Sequence, residues 1–561
     1  DVNAANGLND IAAQTFGKVT ATVEGSATAL QALTTASTDA ITVKVTGATA
    51  TAAQLLAIDK VTSVVVDAKA VKTITVPTGE DVADLATVLA AKTIAKAADV
   101  AVTINGDVTA LEANSIAKLT TGVVTATVAD ASASYLNSTL KDAKATDALK
   151  LTVSGKTATA VDLKALAGKT SVAVVANSIE TITGNAKDVK DLLALAATEI
   201  TLNTTTHPAI TVSGTISAAD AYTIAYDTDA GVVTATVGAG SATNLIADLT
   251  NATSGKDALT LVTDNAAATA DELLALDDAT SVTVNAKAIT ANGISGNAAD
   301  LKKLIASKGV ELANNVGITA SGTTNAADLG AILKATTGVV KATVLADTAV
   351  KLNSALKDAN SADALTLSVN GTTVTAKDLL ALGGKTSVTT ITVNVSAITG
   401  NITEITDVFV TGGKFIASIG ADDVTISGTV KASEADAIAD KTSGTVTATI
   451  AAGNANVLNT ALDDSVSQVN AYKITVSGDN ANATDLLGLD SKTSIAVDAS
   501  AIKNITIKTG AELTGAADIK DVYVAAGKKD ISGLGNETVD LSKATDANAS
   551  LVKAINDYTT G

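Results

Sequence analysis

The chain has 561 residues, a formal net charge of −19 at pH 7, one His, and no Cys, Met or Trp. Arg is absent and aromatic residues make up only 2% of the chain, which argues against nucleic-acid binding, because that needs a basic surface and often aromatic stacking platforms. The composition excludes disulfides, and no apolar run reaches the roughly 18 residues that a membrane-spanning helix needs, so membrane insertion is not expected.

The predicted elements begin with a helix that ends near Gly17 and with a strand, VTATV, that follows it. Over residues 122–230 the sequence predicts four strand-then-helix steps of roughly 27 residues each, because runs of Val, Ile and Thr alternate with Leu at helical spacing. In the strand that opens this segment, Val124, Ala126 and Val128 should face a core, while the intervening Thr residues face solvent. Short strand–helix–strand connections of this kind predict parallel strands.

Three kinds of residue recur along the chain at spacings of 105 to 110 positions: a Gly before a VTATV-like strand, a Ser after a Thr, and an Asp or Asn before another strand. They are Gly17, Gly122, Gly231, Gly338 and Gly444; Ser63, Ser171, Ser281, Ser387 and Ser494; and Asp39, Asp147, Asp257, Asp363 and Asn470. Because self-similarity at a fixed period is the signature of a repeat protein, the sequence predicts a tandem repeat of about 107 residues.

This periodicity predicts an α/β solenoid of parallel strands and short helices, with about four strand–helix steps per repeat. The expected divisions are a partial repeat, a helix, at 1–17 and repeats at 18–122, 123–231, 232–338, 339–444 and 445–561. A string of five small α/β or β-rich domains is the alternative, although linker-like segments are few. The first 17 residues align with the last 17 and neither segment resembles a polar cap, so we expect open ends that further repeats or another copy would cover.

Helix starts are predicted where a Ser or Thr precedes an acidic residue by three positions, because the hydroxyl can cap a free N–H group of the first turn. The predicted pairs are Thr159 with Asp162, Ser217 with Asp220, Thr269 with Glu272, Thr375 with Asp378, and Ser433 with Asp436. The helices that follow are only about two to three turns long and would be marginal alone in water. They are therefore expected to pack against neighbours.

The segments TISAADAYTIA, TTGVVTATV, SADALTLSV and LLALDDATSVTVNA resemble the Ala-, Thr-, Val- and Asp-rich tandem-repeat regions of large secreted bacterial surface proteins of the cyanobacterial type. Those proteins are described as surface-layer, adhesin-like or hemolysin-type. The resemblance covers essentially the whole chain, but the calcium-binding nonapeptide GGxGxDxUx is absent. It implies a secreted, non-catalytic building element.

Calcium is the one cofactor that the sequence leaves open. Asp227 and Asp229, in the run DTDAG before Gly231, have the opening spacing of a calcium loop, and carboxylate oxygens suit this cation. The later ligands of such a loop are missing, and other repeats have TTG or TSG at the same place. The recurring Asp residues before strands are interpreted as Asx turns.

No catalytic residue is predicted. His207 is the only imidazole and lies beside Pro208, where we interpret it as a loop residue. Without Cys, neither a zinc site of Cys and His nor a nucleophile–His pair can recur in the repeats. The chain is therefore expected not to be an enzyme.

The sequence thus predicts an extracellular or cell-surface structural protein that associates with copies of itself into a filament, sheath or surface layer. The alternative is a spacer or stalk region of a large adhesin, in which the repeats would not self-associate.

Overall fold

The computed structural model describes residues 2–196, 198–228, 231–249, 256–411, 419–463 and 469–561. Its backbone divides into two compact units. The first unit comprises residues 1–264, 272–286 and 308–311, and the second comprises residues 265–271, 287–307 and 312–561.

Short strands make up much of both units. They are β1 Thr20–Gly25, β2 Ala40–Val45, β3 Thr49–Thr51, β4 Val66–Asp67, β5 Thr73–Val76, β6 Ile94–Ala95, β7 Ala101–Val108, β8 Val124–Val128, β9 Ala148–Lys150, β10 Thr157–Thr159, β11 Val174–Ala176, β12 Thr181–Asn185, β13 Ile200–Leu202, β14 Ala209–Ile216, β15 Val233–Val237, β16 Ala258–Thr260, β17 Ala268–Thr269, β18 Val284–Ala286, β19 Ile294–Asn297, β20 Val310–Leu312, β21 Ile318–Thr324, β22 Val340–Val344, β23 Ala364–Thr366, β24 Ser368–Asn370, β25 Thr373–Thr375, β26 Thr392–Asn394, β27 Ala397–Asn401, β28 Asp423–Val430, β29 Val446–Ile450, β30 Ala471–Lys473, β31 Asn480–Asn482, β32 Val497–Asp498, β33 Asn504–Thr506, β34 Ile531–Ser532 and β35 Thr538–Val539.

Helices alternate with these strands. They are α1 Val2–Gln14, α2 Ala27–Leu30, α3 Ala52–Asp59, α4 Val82–Ala90, α5 Ala110–Leu119, α6 Ala133–Thr139, α7 Ala160–Ala167, α8 Ala186–Leu195, α9 Ala218–Thr228, α10 Ala242–Leu249, α11 Ala270–Asp278, α12 Ala298–Ala306, α13 Ala326–Ala335, α14 Ala349–Ala355, α15 Ala376–Gly383, α16 Ile402–Phe409, α17 Ala432–Ala439, α18 Ala455–Ala461, α19 Ala483–Ser491, α20 Gly515–Lys528 and α21 Ala549–Asn556.

All described strand pairs are parallel, and they join residues that lie between 20 and 34 positions apart in the chain, as in Thr20 with Ala40 and Asn504 with Thr538. The first unit contains the sheets β1-β2-β4-β6, β3-β5-β7-β8-β9, β10-β12-β14-β15-β16, β11-β13 and β18-β20. The second contains β17-β19-β21-β22-β23, β24-β26, β25-β27-β28-β29-β30, β31-β33-β35 and β32-β34. The fold is therefore α/β with parallel sheets, as predicted, and it is compatible with a repeat-like architecture.

The strand that opens residues 122–230 has the predicted two faces. Val124, Ala126 and Val128 are buried, whereas Thr125 and Thr127 between them are partly exposed. The same alternation of buried and more exposed residues is found in β15, β22 and β29. Small β-branched side chains pack the core side of these strands, and Thr supplies the other face.

The short helices pack against one another, as expected because helices of this length are marginally stable alone in water. In the first unit each helix from α1 to α10 contacts the next, and in the second unit each helix from α12 to α21 does the same. Among the described residues, every helix is too short or too polar to span a bilayer.

Most of the predicted helix starts are confirmed. The hydroxyls of Thr159, Ser217 and Thr375 each accept a hydrogen bond from the backbone N–H three residues on, at 3.1, 3.0 and 3.0 Å. Helix α11 begins directly after Thr269, also as predicted.

The prediction for Ser433 is wrong. Helix α17 starts at Ala432, directly after strand β28, so Ser433 lies inside its first turn. The capping residue is Lys431, whose backbone N–H donates to the carboxylate of Glu434 at 3.0 Å. Helices α9 and α13, which also follow a long strand, have Ser217 and Asn325 at the cap position, whereas here that position holds Lys431. The Ser-x-x-Asp spacing therefore matches two residues inside the helix and not at its start.

Candidate functional site

The recurring Asp and Thr-Ser residues, found separately in the sequence, are brought together by the fold. We call each group a strand-start cluster: the Asp or Asn before one strand, and the Thr-Ser pair 23 and 24 residues later that precedes another strand. The five clusters are Asp39 with Thr62 and Ser63, Asp147 with Thr170 and Ser171, Asp257 with Thr280 and Ser281, Asp363 with Thr386 and Ser387, and Asn470 with Thr493 and Ser494.

The same two hydrogen bonds hold every cluster. The backbone N–H of the Ser donates to the carbonyl of the Asp or Asn at 2.6 to 2.8 Å. The Thr hydroxyl donates to the carbonyl two residues after the Asp or Asn, as from Thr170 to Leu149 at 2.7 Å and from Thr386 to Leu365 at 2.8 Å. These Thr side chains are buried, so each hydroxyl satisfies backbone carbonyls that water cannot reach.

The Asp or Asn side chain of each cluster accepts a hydrogen bond from the start of the strand before it. Oδ1 of Asp147 accepts the backbone N–H of Val124 at 2.9 Å, and Oδ1 of Asp363 accepts that of Val340 at 2.8 Å. Asp39 and Asp257 do the same, and so does the amide oxygen of Asn470. Each cluster therefore joins the starts of three strands, as of β8, β9 and β11 around Asp147.

The Asx-turn interpretation of these Asp residues is corrected by their second carboxylate oxygen. Oδ2 of Asp147 accepts the N–H of Lys144 at 2.8 Å, and Oδ2 of Asp363 accepts that of Asn360 at 2.9 Å. An Asx turn would bind a backbone group two residues later. Here the carboxylate instead closes the loop three residues earlier and bridges to the neighbouring strand.

Glycines mark a second kind of contact between segments that are separated in the sequence. A Cβ built on Gly122, Gly338 or Gly444 would lie 2.3 to 2.4 Å from a backbone carbonyl oxygen of an earlier segment of the chain, and Gly231 and Gly561 are equally close to theirs. Only Gly allows such an approach, because any side chain would overlap the carbonyl. The Thr two residues before three of these glycines donates to the same segment, as from Thr120 to Val100 at 2.6 Å.

Burial raises the pKa of two carboxyl groups near the strand starts. Burial raises the pKa of Asp257, against the opposing effects of the Val233 N–H and Lys256. Burial also raises the pKa of Asp422, and the neighbouring charge of Asp423 adds to this rise. Among the described residues, Oδ2 of Asp422 has no hydrogen-bond partner.

Ion pairs connect neighbouring segments of the chain. The ammonium group of Lys164 in α7 lies 2.8 Å from Asp188 and 3.0 Å from Asp191 in α8, and its hydrogen bond to Asp188 is the main reason that the pKa of Lys164 is raised. Lys508 pairs at 2.7 Å with the buried Asp485 of α19. These charges are used in contacts between neighbouring segments.

The two calcium candidates are not brought together in the part of the chain that the structure describes. Asp227 lies near the end of α9 with an exposed side chain, and it lines a cavity of about 160 Å³ beside Leu202, His207 and Pro208. Asp229 lies outside the described residues. Within the described ranges, no group of three or more His, Asp or Glu side chains could hold a metal ion. Calcium binding therefore stays a prediction.

His207 lies in the loop between β13 and β14, as predicted, with a positive φ of 32°. Three kinds of contact were not predicted: the Thr hydroxyl bonds, the Asp bridges and the close Gly–carbonyl approaches. Their signal in the sequence was the recurrence itself, which identified the positions but not their partners.

No protein-family model matches the chain, and a search of curated proteins finds no match either.

Proposed function

We propose that the chain is a non-catalytic structural repeat protein, an α/β solenoid that associates with copies of itself in an extracellular filament, sheath or surface layer. The observation that carries this proposal is the strand-start cluster, because it repeats one set of bonds along the chain and uses its polar groups to join successive turns. This is the pattern expected where each repeat contacts only its neighbours.

Element order supports a solenoid with a unit of about 107 residues. Four helices fall in each expected repeat: α2–α5, α6–α9, α10–α13, α14–α17 and α18–α21. The long strands β7, β14, β21 and β28 each pair with the following strand through a register shift at the same place. The short sequence distance between paired residues supports turns that stack in chain order.

A non-catalytic role is supported by how the recurring side chains are used. The Thr, Ser and Asp groups of the clusters bind backbone N–H and carbonyl groups of adjacent strands. Such bonds stabilise a fold and leave these groups engaged in structure. The cell-surface location rests on composition and on the resemblance to secreted repeat regions, and the alternative remains the spacer or stalk of a large adhesin.

The experiment is to purify the 561-residue chain and follow its size over a concentration series by analytical ultracentrifugation, small-angle scattering and negative-stain electron microscopy. Regular fibres or lattices that grow with concentration are the expected result. A species that stays monomeric and elongated would favour the stalk. A compact monomer, or five independently moving globules, would contradict the solenoid itself.

A further inference from the structure

The loop between β13 and β14 is two residues longer than the matching loops between β6 and β7 and between β20 and β21. The buried residues Ile200 and Ile210, one in each strand, lie 10 positions apart in the sequence. The matching buried pairs elsewhere lie only 8 positions apart; they are Ile94 with Val102 and Val310 with Ile318. The extra residues fall in the segment 203–207.

Pro208 keeps this longer loop from closing as the other two loops do. It holds the place of Val100 and Val316, since the carbonyl of each of the three faces one of the recurring glycines. The N–H of Val100 closes its loop by donating to the Ala97 carbonyl at 3.4 Å. The N–H of Val316 donates likewise to the Ala313 carbonyl at 3.2 Å. Proline has no backbone N–H, so this bond cannot form here. The residue before the proline has a positive φ of 32°, which is strained for a residue with a side chain.

The longer loop borders a cavity of about 160 Å³ within the first unit. Five apolar residues line one part of it, and they are Leu193, Ala196, Leu202, Pro208 and Ile210. An apolar cavity of about 150 Å³ is large enough to hold benzene. The volume therefore suits a ligand with a single ring or a short branched chain.

Polar side chains line the rest of the cavity. They are Asn203, Thr204, His207 and Asp227. Asn203 is used within the loop, because its Oδ1 accepts the N–H groups of Thr205 and Thr206 at 2.9 and 3.0 Å. The side chains of the other three have no hydrogen-bond partner among the described residues. A hydroxyl and an imidazole can each donate or accept a hydrogen bond, so both can bind a polar group of a ligand.

The charge at the cavity favours a cation. Among the described residues that line it, Asp227 supplies the carboxylate and none is Lys. Asp227 also lies in the last turn of α9, where the backbone carbonyls give the end of a helix a partial negative charge. An ammonium group is therefore favoured here over a carboxylate or a phosphate.

We propose that this cavity binds a small organic ammonium ion. The apolar body of the ligand packs against Leu193, Leu202 and Ile210, and its ammonium group lies beside the Asp227 carboxylate. This binding site goes beyond the proposed structural function and does not depend on self-association. Of the three loops compared, only the one with Pro208 is expected to form the site, because the other two are closed by a backbone hydrogen bond.

The test uses benzylamine and its uncharged analogue benzyl alcohol, which are close in size and differ in the ammonium group. Saturation-transfer difference NMR measures their Kd for the full chain at pH 7 and low salt. EDTA is present so that no divalent cation binds the Asp227 carboxylate. Benzylamine should bind with a Kd on the order of 1 mM, as expected for so small a ligand. It should bind about threefold more tightly than benzyl alcohol, a modest factor because Asp227 is exposed.

Two variants with matched controls locate the binding site. Asp227→Asn should reduce the affinity for benzylamine to that for benzyl alcohol, whereas Asp107→Asn, the same charge change at an exposed residue outside the cavity, should not. Ala196→Leu should fill the cavity and weaken the binding of both probes by about tenfold or more. Ala194→Leu adds the same side chain at an exposed position of α8 and should leave both affinities unchanged.

Thermal unfolding confirms that each variant is folded. If Ala196→Leu does not fold, the surface variant Asp227→Asn still tests the site. Absence of saturation transfer to benzylamine at about 10 mM would overturn the proposal, and so would unchanged binding in a folded Ala196→Leu. Equal affinity of the wild type for the two probes would overturn the assignment of an ammonium ligand. None of these results bears on whether the chain assembles.

Discussion

At the scale of single residues, the buried Thr of each strand-start cluster makes more bonds than its small side chain would suggest. The hydroxyl of Thr386 donates to the Leu365 carbonyl at 2.8 Å and accepts the N–H groups of Leu365 and Val388 at 3.0 and 3.1 Å. One buried hydroxyl thus satisfies three backbone groups, and these belong to two segments of the chain, at Leu365 and at Val388.

Thr386→Val should therefore lower the free energy of unfolding by about 1–3 kcal/mol, because the shape is kept while buried backbone groups lose their partner. Thr386→Ser keeps the hydroxyl and removes one methyl group, so its cost should be about 1 kcal/mol. Urea denaturation of both variants measures the difference. A Val variant as stable as the wild type would contradict the role assigned to the hydroxyl.

Asp422 places a carboxyl group in a buried position, where its ionised form is unfavourable. Its carbonyl accepts the Thr442 hydroxyl at 2.7 Å, as the carbonyls of Val100 and Val316 accept Thr120 and Thr336 at 2.6 Å. An acidic side chain therefore occupies a place where two other repeats have Val. Burial raises the pKa of this carboxyl, so the ionised form destabilises the fold.

Asp422→Val should raise the free energy of unfolding at pH 7 by about 1 kcal/mol or more. The sign of the pH dependence follows from the raised pKa. The Asp422 carboxyl binds its proton more tightly in the folded chain than in the unfolded chain. The difference in unfolding free energy between the wild type and Asp422→Val should therefore decrease as pH falls through the raised pKa and below the ordinary Asp range. Denaturation from pH 7 to pH 3 measures this, with Asp422→Asn as the control for charge alone. A difference in unfolding free energy between the wild type and Asp422→Val that does not change with pH would contradict this prediction.

At the scale of elements, the sequence predicted the strands and helices well, because their signals are local. Alternation identified the two faces of β8, and hydroxyl caps identified the starts of α7, α9 and α15. The prediction for Ser433 failed because the capping position of α17 holds Lys431, so the Ser-x-x-Asp spacing occurs only inside the first turn. The partners of Thr386 or Gly338 could not be predicted either, since they depend on how segments that are separated in the sequence are aligned.

The recurring glycines allow a matched comparison between elements. Gly338→Ala should lower the free energy of unfolding by about 1–3 kcal/mol, because its Cβ would lie 2.4 Å from the carbonyls of Asn315 and Val316. Gly17→Ala, in the same motif without a facing carbonyl, should leave stability unchanged or slightly raised. Denaturation at concentrations below the onset of assembly measures both. Equal costs at the two positions would show that local backbone preference, and not close approach, explains the glycine.

At the scale of the whole molecule, the spacing of recurring residues predicts a repeat, but it cannot predict how repeats would stack or assemble. Spacing identifies equivalent positions and not their mutual placement. The calcium candidates show this limit, since the spacing of Asp227 and Asp229 could not show whether further ligands converge on them.

The proposed solenoid predicts that a destabilising substitution affects only nearby turns, since each turn contacts only its neighbours. Thr386→Val should speed amide hydrogen exchange in β23 to β27 and the helices between them, and leave residues 18–196 unchanged. Thr170→Val should show the converse pattern around β9 to β12. Exchange measured by mass spectrometry tests this. Uniform acceleration along the chain would indicate one cooperative unit and contradict the nearest-neighbour arrangement.

The parallel pairing of residues 20 to 34 positions apart also governs how the chain can acquire its structure. Relative to 561 residues, such separations give a relative contact order on the order of 0.05, which is lower than that of most helical bundles. When a strand is synthesised, the earlier strand with which it pairs is already present. The nascent chain can therefore fold in step with its emergence from the ribosome, without waiting for distant segments to be synthesised.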